Sequence, residues 1–596
     1  MRTVPSLSFP RARPLLGGLA RTAVAVFAAL GLAALVGAAP ASALPSPNVE
    51  RQEVPIDSAS PESDVLASLV RIHVPLPAGD APHPEACDWL QYVRFRSATG
   101  PTDSMKADSV AFLMPGILEG AMALDPLARN TVRAAKREGR NIEVWALDRR
   151  ANCLEDLTGV NKYEQTGDFH DAIDYYFHGA SIDGKTFGGV GKNDRMLADI
   201  GLEQTVNDMY SVLTDELPDQ TWREHHVICG GHSLGGPLVQ VFAGWDFDHN
   251  PKTTTDAGYR QCAGFVGFEA YLDLDPTQDS PLLNAVIGAA TLGQRNFLRR
   301  ISVSALKRGL VPRRVDVDGV DPLSTLVMEM VGIAAFKDPN GSATPLLQAI
   351  PHVKSIDNYF HMLGSSNLQR LALSKDSIRD YSYTNAGLLG QLLDDNGTPI
   401  SAVRASFGFF SGSRLRRNTL DDQISPIPAA NLLFQVGNVM LPFKANSQTQ
   451  PTGWTNYDQL GSGPTQIGAN LTKPTSEVTD ARDMARIQFE GPTNFTEPYF
   501  PVRVVTDLTA FYGHDKGGEL SYFYYRHPTA RKPRIIGIGT EGEIIKGKFG
   551  SPDPYVLLPG YDHVDSVTAA EKQNNGKPEG SSTMLMNMID RVVPKP

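Results

Sequence analysis

The first half of the chain alternates short, continuously apolar runs with longer amphipathic segments. Apolar runs such as Ser109–Met114 and 142–147 stand on either side of a helical segment at 128–140. Strands that are apolar on both faces are typical of a mostly parallel sheet that helices cover on both sides. This rhythm predicts an α/β fold. With 41% apolar residues and 4 cysteines among 596 residues, the composition excludes wholesale disorder, a coiled coil and a disulfide-stapled miniprotein.

The same rhythm divides the chain into segments. We expect a targeting signal, a flexible Pro/Ser/Glu-rich stretch, a first part of the α/β core, an insertion and a second part of the core, at 1–43, 44–64, 65–275, 276–499 and 500–596. The insertion contains amphipathic helices such as 283–292 and 323–335. Strands at 534–538 and Tyr555–Leu558 and a closing helix at 582–592 then resume the rhythm. An insertion in this place is expected to lie over the carboxyl ends of the strands, where α/β sites form.

The N-terminal 43 residues predict secretion. Their only charged side chains are four arginines, an apolar run covers 22–39, and the tripeptide Ala-Ser-Ala ends at Ala43. This is the pattern of a secretory signal peptide, with cleavage near Ala43. No later segment is apolar for long enough to span a bilayer. We therefore expect a secreted, extracellular protein with no stable membrane insertion after cleavage.

The net charge limits the possible partners, and the cysteines limit the possible disulfides. The net charge of −11 argues against a nucleic-acid partner, because a protein that binds nucleic acid requires a basic face. Secretion permits disulfides, and four cysteines allow three pairings. Cys229 and Cys262 lie in buried-looking strands, where a free thiol is a common core residue. We favour Cys87–Cys153 as the bridge if the chain has one.

One motif carries chemistry. Residues 231–235 read G-H-S-L-G, a G-x-S-x-G that follows the apolar run 227–229 and precedes an apolar helix at 234–243. A sharp strand-to-helix turn exposes the serine oxygen, and the helix directs its first amides at a developing oxyanion. The pattern predicts Ser233 as a nucleophile. The neighbouring His232 is expected to pack rather than titrate.

In this context the chain resembles the α/β-hydrolase superfamily over residues 65–275 and 500–596. The resemblance implies an α/β-hydrolase fold: a mostly parallel central sheet with helices on both faces and a large, mainly helical or irregular cap inserted after the sixth strand. It implies an oxyanion hole formed by the amide of Leu234 and one from the loop after the third strand, where Ile117 follows Pro115-Gly116. It also places the base last in the chain, at His563 in a Gly-x-x-His pattern.

The resemblance leaves the triad acid open. The usual position follows the seventh strand, where Gly542 stands in place of the usual Asp, between Glu541 and Glu543. An alternative position follows the sixth strand, where Glu269 resembles the strand-six Glu of some haloalkane dehalogenases. A carboxylate that closes an apolar strand needs a partner, because burying it unpaired is costly. We favour Glu269, with Glu541 as the alternative and Glu543 third.

These residues predict a secreted serine hydrolase, similar to esterases and lipases, that cleaves carboxylic esters through an acyl-enzyme without a cofactor or metal. The expected partner is a small-molecule or lipid-like ester. An aminopeptidase, amidase or acyltransferase with the same triad is the alternative, and a non-catalytic binding protein is the least favoured. An aminopeptidase needs a carboxylate pair in the cap to hold the substrate amine. Acidic clusters at 168–178 and 316–321 lack known metal-ligand spacing and are expected to be solvated. The natural substrate and the oligomeric state stay open.

Overall fold

The computed structural model describes most of the chain beyond its N-terminus. The described residues are 50–273, 295–316, 319, 321–426, 437–461, 465–466, 471–491, 494–511, 518–542, 553–574 and 576–595. The predicted signal at 1–43, the predicted helix at 283–292 and Glu543 lie outside them. Within the described ranges, no helix has the length and apolar character that crossing a bilayer requires.

A nine-stranded sheet forms the centre of the molecule, in the order β1-β2-β3-β5-β4-β8-β9-β16-β17. Its strands are β1 (Arg51–Ile56), β2 (Val65–His73), β3 (Trp89–Ser97), β4 (Ser109–Met114), β5 (Ile142–Asp148), β8 (Val227–His232), β9 (Gly264–Phe268), β16 (Arg534–Gly539) and β17 (Tyr555–Leu558). The pairs from β5 to β17 are parallel, and the pairs that β1, β2 and β3 make are antiparallel. This arrangement confirms the predicted mostly parallel α/β fold.

Helices cover both faces of this sheet. One face buries an apolar cluster that includes Ala128 and Leu585, from helices Asp125–Arg137 and Gly580–Val592. The other face buries a cluster that includes Val206, Leu238 and Val504. These three residues lie in helices Leu202–Glu216, Gly235–Gly244 and Val502–Phe511. The remaining core helices are Thr158–Thr166, Phe169–Phe177, Gln220–His226 and Asp565–Thr568. Burying both faces explains why the strands read as continuous apolar runs.

Two segments differ from the sequence expectation. Residues 44–64 were expected to be flexible, yet β1 lies within them and pairs along its whole length with β2. Its side chains are mostly exposed, so pairing with the sheet edge rather than an apolar pattern creates this strand. The helix expected at 128–140 begins earlier, at Asp125, and ends at Arg137, because Pro126 fits the first turn of a helix, where its missing N–H is not needed.

The insertion builds a core of its own above the sheet. Its helices are Arg295–Arg308, Pro322–Lys337, Thr344–Ala349, Lys354–Gly364, Leu368–Leu373, Asn385–Leu393, Leu420–Ile424 and Ala481–Ile487. Its paired short strands are β10 (Gly408–Ser411) with β13 (Gly453–Asn456), β11 (Leu415–Arg417) with β12 (Met440–Pro442) and β14 (Thr465–Gln466) with β15 (Leu471–Thr472); a further short pair, β6 (Ser181–Ile182) with β7 (Lys185–Thr186), belongs to the core. Side chains such as Met330, Leu389 and Phe409 share one buried cluster. Tyr176 of the core joins the same cluster, so the insertion packs directly on the α/β layer.

The cysteines form two disulfides. Cys87 pairs with Cys153 as favoured, and Cys229 pairs with Cys262. The expectation of free thiols in the strands was wrong for the second pair. Cys229 is in β8, and Cys262 precedes the neighbouring β9, so sheet pairing brings their Cα atoms to 5.8 Å. Only the strand register reveals this proximity, since the residues are 33 positions apart.

Candidate functional site

Ser233 lies on a sharp turn between β8 and the helix Gly235–Gly244. Its φ of 49° is left-handed, a strained conformation for a residue with a side chain. A Cβ on Gly231 would lie 2.4 Å from the carbonyl carbon of Gly235, and one on Gly235 would lie 2.2 Å from the oxygen of Met114. Both glycines of the motif are therefore required by close backbone approach. The turn has the geometry that the G-x-S-x-G motif predicts.

The loop after β4 lies directly against this turn. A Cβ on Gly116 would be 3.0 Å from the Cβ of Ser233. Ile117 is 38% exposed and Leu234 is half-buried. Among the described residues, neither of their backbone N–H groups donates to a protein acceptor. Ile117 follows a glycine that lies against Ser233, and the oxyanion roles of both amides stay predictions.

Arg149 holds the backbone of this loop. Its buried guanidinium donates to the carbonyl oxygens of Pro115 at 2.9 Å, Gly116 at 2.5 Å and Glu119 at 2.7 Å. It also forms an ion pair with Glu497, which returns from the insertion. Sequence reasoning missed Arg149. The available signal was an arginine that follows the apolar strand β5, where a buried cation requires acceptors.

The structure brings His563 and Glu269 together. His563 Nδ1 lies 3.4 Å from Glu269 Oε2, a long hydrogen bond between two buried side chains. Glu269 adopts a φ of 43°, and its Oε1 accepts the N–H of Gly539 at 2.6 Å. A Cβ on Gly542 would lie 2.5 Å from the Glu269 carboxyl carbon. The glycine at the usual acid position therefore leaves room for the carboxylate that arrives from β9.

The alternative acid has a different environment. Glu541 is exposed, and its backbone N–H donates to the carbonyl of Tyr561 at 3.0 Å. The geometry brings Glu269, rather than Glu541, to Nδ1 of His563. The catalytic roles of these residues stay predictions.

A second imidazole–carboxylate pair lies beside the first. His232 Nδ1 is 2.7 Å from Glu119 Oε2, its Nε2 is 3.0 Å from the carbonyl oxygen of His563, and the two imidazole rings are 4.7 Å apart. A carbonyl only accepts, so Nε2 must carry a proton. Glu119 Oε2 also accepts the N–H of Gly116 at 2.6 Å. The pair therefore ties the nucleophile turn, the oxyanion loop and the His563 loop together.

Electrostatics favour the ionised form of Glu119. Burial acts to raise the pKa of Glu119, but His232, His563 and the Gly116 N–H outweigh it and hold that pKa below its ordinary value. A pKa held low keeps Glu119 in the form that accepts the Gly116 N–H. The expectation that His232 packs describes its burial and omits its hydrogen bonds to Glu119 and to the carbonyl of His563.

Other acidic side chains cap helices or gather in small groups. Asp168 accepts from the N–H of His170 and caps the helix Phe169–Phe177, and Asp321 caps Pro322–Lys337. These are local roles at helix starts. Two other groups of three bring carboxylate oxygens within 4.8 Å of one another: Asp246 with Asp248 and Asp256, and Asp394 with Asp395 and Glu477. Both groups lie outside the Ser233 turn and its contacts described above.

Comparisons with known proteins add little to this geometry. No protein-family model matches the chain, and no curated protein matches it. Among solved structures, the peroxisomal α/β-hydrolase Lpx1 of Saccharomyces cerevisiae is 8% identical, with 92% of this chain and 90% of that chain covered and a TM-score of 0.29. Juvenile hormone epoxide hydrolase of Bombyx mori is 9% identical, with 89% and 76% covered and a TM-score of 0.25. A protein described as a carboxylesterase from Lactobacillus plantarum is 12% identical, with 46% and 72% covered and a TM-score of 0.15.

These solved structures are too dissimilar to identify the fold, so it is identified from the chain's own sheet and turn. A mostly parallel sheet with helices on both faces, and a strand–Ser–helix turn at the end of β8, are the features of the α/β-hydrolase fold. In this chain the carboxylate that contacts Nδ1 of His563 belongs to Glu269, which follows β9. The sheet strands β16 and β17 lie between these two residues along the chain.

Proposed function

We propose that this protein is a secreted serine hydrolase that cleaves carboxylic esters. The observation that carries the proposal is the strained Ser233 turn of the G-x-S-x-G motif, together with the hydrogen bond between His563 and Glu269. His563 is linked to the turn through His232, which directly precedes Ser233. Two disulfides and the predicted signal peptide support an oxidising, extracellular location.

The proposed reaction begins when Ser233 Oγ attacks the ester carbonyl carbon and His563 Nε2 accepts the hydroxyl proton. The tetrahedral oxyanion is held by the amides of Leu234 and Ile117. Glu269 accepts the Nδ1–H of His563 and stabilises the imidazolium. His563 then gives its proton to the departing alcohol, which leaves the acyl group on Ser233.

Water completes the cycle. His563 takes a proton from the water as its oxygen attacks the acyl carbon, and the second oxyanion occupies the same pair of amides. Collapse of this intermediate returns the proton to Ser233 Oγ and releases the carboxylic acid. The insertion, which packs on the core through Tyr176, is proposed to form the wall that selects a small-molecule or lipid-like acyl group.

The test is hydrolysis of a p-nitrophenyl ester series, from short to long acyl chains, by the mature protein. We expect Ser233→Ala to lower kcat by at least about 10⁴-fold, because the nucleophile is lost. A fluorophosphonate should label the wild type and not this variant. Ser447→Ala, in a short turn of the insertion, is the matched control and should keep full activity. Equal rates for wild type and Ser233→Ala, without labelling of either, would refute the proposed function.

A further inference from the structure

Arg149 is surrounded by acceptors from the loop 115–120, the oxyanion loop. The residue is only 6% exposed, and its Nη1 and Nη2 donate to the carbonyl oxygens of Pro115, Gly116 and Glu119 at 2.9, 2.5 and 2.7 Å. Its Nε pairs with the fully buried carboxylate of Glu497. Every nitrogen of the guanidinium is therefore engaged, and the planar fork fixes the direction in which the three carbonyls point.

The carbonyl of Gly116 determines the direction of the next N–H group. No peptide bond between described residues is cis, and in a planar trans peptide the C=O and the following N–H point in opposite directions. The Gly116 oxygen points at Nη2 of Arg149, so the N–H of Ile117 points away from Arg149. A Cβ on Gly116 would lie 3.0 Å from the Cβ of Ser233, so this peptide begins beside the nucleophile turn.

The oxyanion loop is strained and is held by a second segment. Leu118 has a φ of 61°, which is left-handed and costly for a side chain of this size. Its carbonyl accepts the N–H of Glu497 at 2.8 Å, and the N–H of Gly120 donates to the carbonyl of Phe495 at 2.9 Å. Strained backbone persists only where the surrounding contacts over-determine it. Residues 494–497, which return from the insertion, supply such contacts to this loop.

One alternative conformation of the loop would reverse its chemistry. Rotation of the peptide plane between Gly116 and Ile117 mainly changes the ψ of the first residue and the φ of the second, and glycine is conformationally permissive. The rotation would break the bond from Arg149 and place a carbonyl oxygen where the N–H had been. A carbonyl only accepts hydrogen bonds, so it repels an oxyanion that the N–H would stabilise.

From this geometry we infer that Arg149 is a positioning residue that holds the Gly116–Ile117 peptide with its N–H toward the oxyanion. The inference rests on the proposed serine hydrolase function and extends it to residues that act through the loop rather than on the reacting atoms. Glu497 aligns the guanidinium, so the segment that returns from the insertion helps to form the oxyanion hole of the core.

The experiment compares Arg149→Lys with the wild type in the hydrolysis of p-nitrophenyl butyrate. Lysine keeps a positive charge beside Glu497 and lacks the planar fork that reaches several carbonyls at once. We expect kcat to fall by about 10²- to 10³-fold, as for the loss of one oxyanion donor. KM should change by less than about threefold, because the lost interaction is made in the transition state.

Arg150→Lys is the matched control. Arg150 is as deeply buried as its neighbour, pairs with Asp208 at 2.6 Å and donates to the carbonyls of Val74 and Cys87. It thus has the same kinds of bonds, but they go to other segments than the oxyanion loop. The control should unfold at a lower urea concentration than the wild type and keep its kcat.

Inhibition by phenylboronic acid distinguishes positioning from a general loss of structure. Ser233 Oγ forms a bond to boron and its proton passes to His563, which leaves a negatively charged tetrahedral adduct. Such an adduct resembles the transition state, so its affinity follows transition-state stabilisation. Arg149→Lys should raise the inhibition constant by about the same factor by which it lowers kcat. Arg150→Lys should leave the inhibition constant at the wild-type value.

A second variant keeps the test decisive if Arg149→Lys does not fold. Arg149→Met combined with Glu497→Met removes both charges, and replacing a buried ion pair by apolar side chains is often tolerated. We expect this folded double variant to show the same loss of kcat. A folded variant of either kind with wild-type kcat and inhibition constant would refute the positioning role and leave the hydrolase standing. Equal losses of kcat in Arg150→Lys would refute it as well.

A crystal structure separates this inference from the proposed function. The absence of wild-type hydrolysis and of fluorophosphonate labelling would refute the hydrolase. The structure of Arg149→Lys would then decide the role of Arg149 by itself. A Gly116–Ile117 peptide that keeps its wild-type orientation in the variant would overturn the inference, whereas a reversed peptide would support it.

Discussion

Two imidazole–carboxylate pairs lie side by side in this site and differ in how completely their atoms are bonded. In the His232–Glu119 pair, both ring nitrogens have protein partners, at 2.7 and 3.0 Å. In the His563–Glu269 pair, the Nδ1 contact is 3.4 Å. The first pair is tight and joins three loops, whereas the second is looser and belongs to the last loop before the closing helices. Catalytic hydrogen bonds are often long until substrate binds, so the difference fits the roles proposed above: positioning for the His232–Glu119 pair and proton transfer for the His563–Glu269 pair.

The difference teaches that residue type alone does not assign a role. Both histidines are buried, and both face a glutamate. Both ring nitrogens of His232 form hydrogen bonds with protein groups, so neither is left to accept the proton of Ser233. The carbonyl of His563, rather than its ring, accepts from His232, so that hydrogen bond orients the His563 loop without occupying its imidazole.

The largest expected effect comes from removing the reacting imidazole. His563→Ala should lower kcat for ester hydrolysis by roughly 10⁴- to 10⁶-fold, because the general base is lost. His232→Ala should lower kcat by no more than about 10²-fold, the loss typical of a slightly misplaced catalytic group. It should also lower the midpoint of urea unfolding. Steady-state kinetics and urea denaturation of both variants measure this. If folded His232→Ala loses as much kcat as His563→Ala, the two roles have been assigned the wrong way round.

A smaller loss is expected when the carboxylate of the reacting pair is neutralised. Glu269→Gln should lower kcat by about 10⁴-fold, because the imidazolium loses its charge partner and the amide favours the wrong tautomer. Glu541→Gln, at the exposed alternative position, should change kcat little. Kinetics of the two variants, with circular dichroism to confirm folding, make the comparison. Loss of activity in the Glu541 variant alone would move the acid to the strand that ends at Gly539.

The smallest effect concerns the positioning pair and appears in stability. Glu119→Gln should lower the free energy of unfolding by about 1–3 kcal/mol at pH 7, as for loss of charge-assisted hydrogen bonds. The folded pKa of Glu119 is held below its ordinary 4.5, so this stabilisation is present above pH 4.5 and is lost as pH falls through the folded value. The gap between variant and wild type should therefore close in acid.

Urea denaturation over a pH series checks that expectation, with the exposed Glu138→Gln as control. The control should match the wild type at every pH. A gap that persists unchanged below the folded pKa of Glu119 would show that shape, rather than charge, is what Glu119 contributes.

Local patterns were sufficient for the core and the nucleophile. Apolar runs predicted β4 and β17 with their observed ends. β4 is buried at every position, as expected for a strand that helices cover on both faces. The G-x-S-x-G motif predicted the turn at Ser233, since only glycine permits the backbone contacts measured at Gly231 and Gly235. Such requirements act within a few residues, and a sequence displays them directly.

Relations between distant segments were not visible in the same way. The Cys229–Cys262 bridge follows from strand pairing, and β1 exists because an edge was available. Arg149 and the Glu119–His232 pair were missed because their partners come from other loops. Each is held by a contact that the chain makes only after the sheet has formed.

The sequence by itself determined that an α/β sheet would carry a serine on a strained turn, because hydrophobic periodicity and glycine sterics are local. It restricted the candidates for the triad acid to three glutamates and favoured Glu269. Only the tertiary structure brought Glu269 to His563, with Gly542 leaving the room that its carboxylate fills. The physical reason is that hydrogen bonds and charges act over a few ångströms, and segments hundreds of residues apart reach that range only through the packed fold.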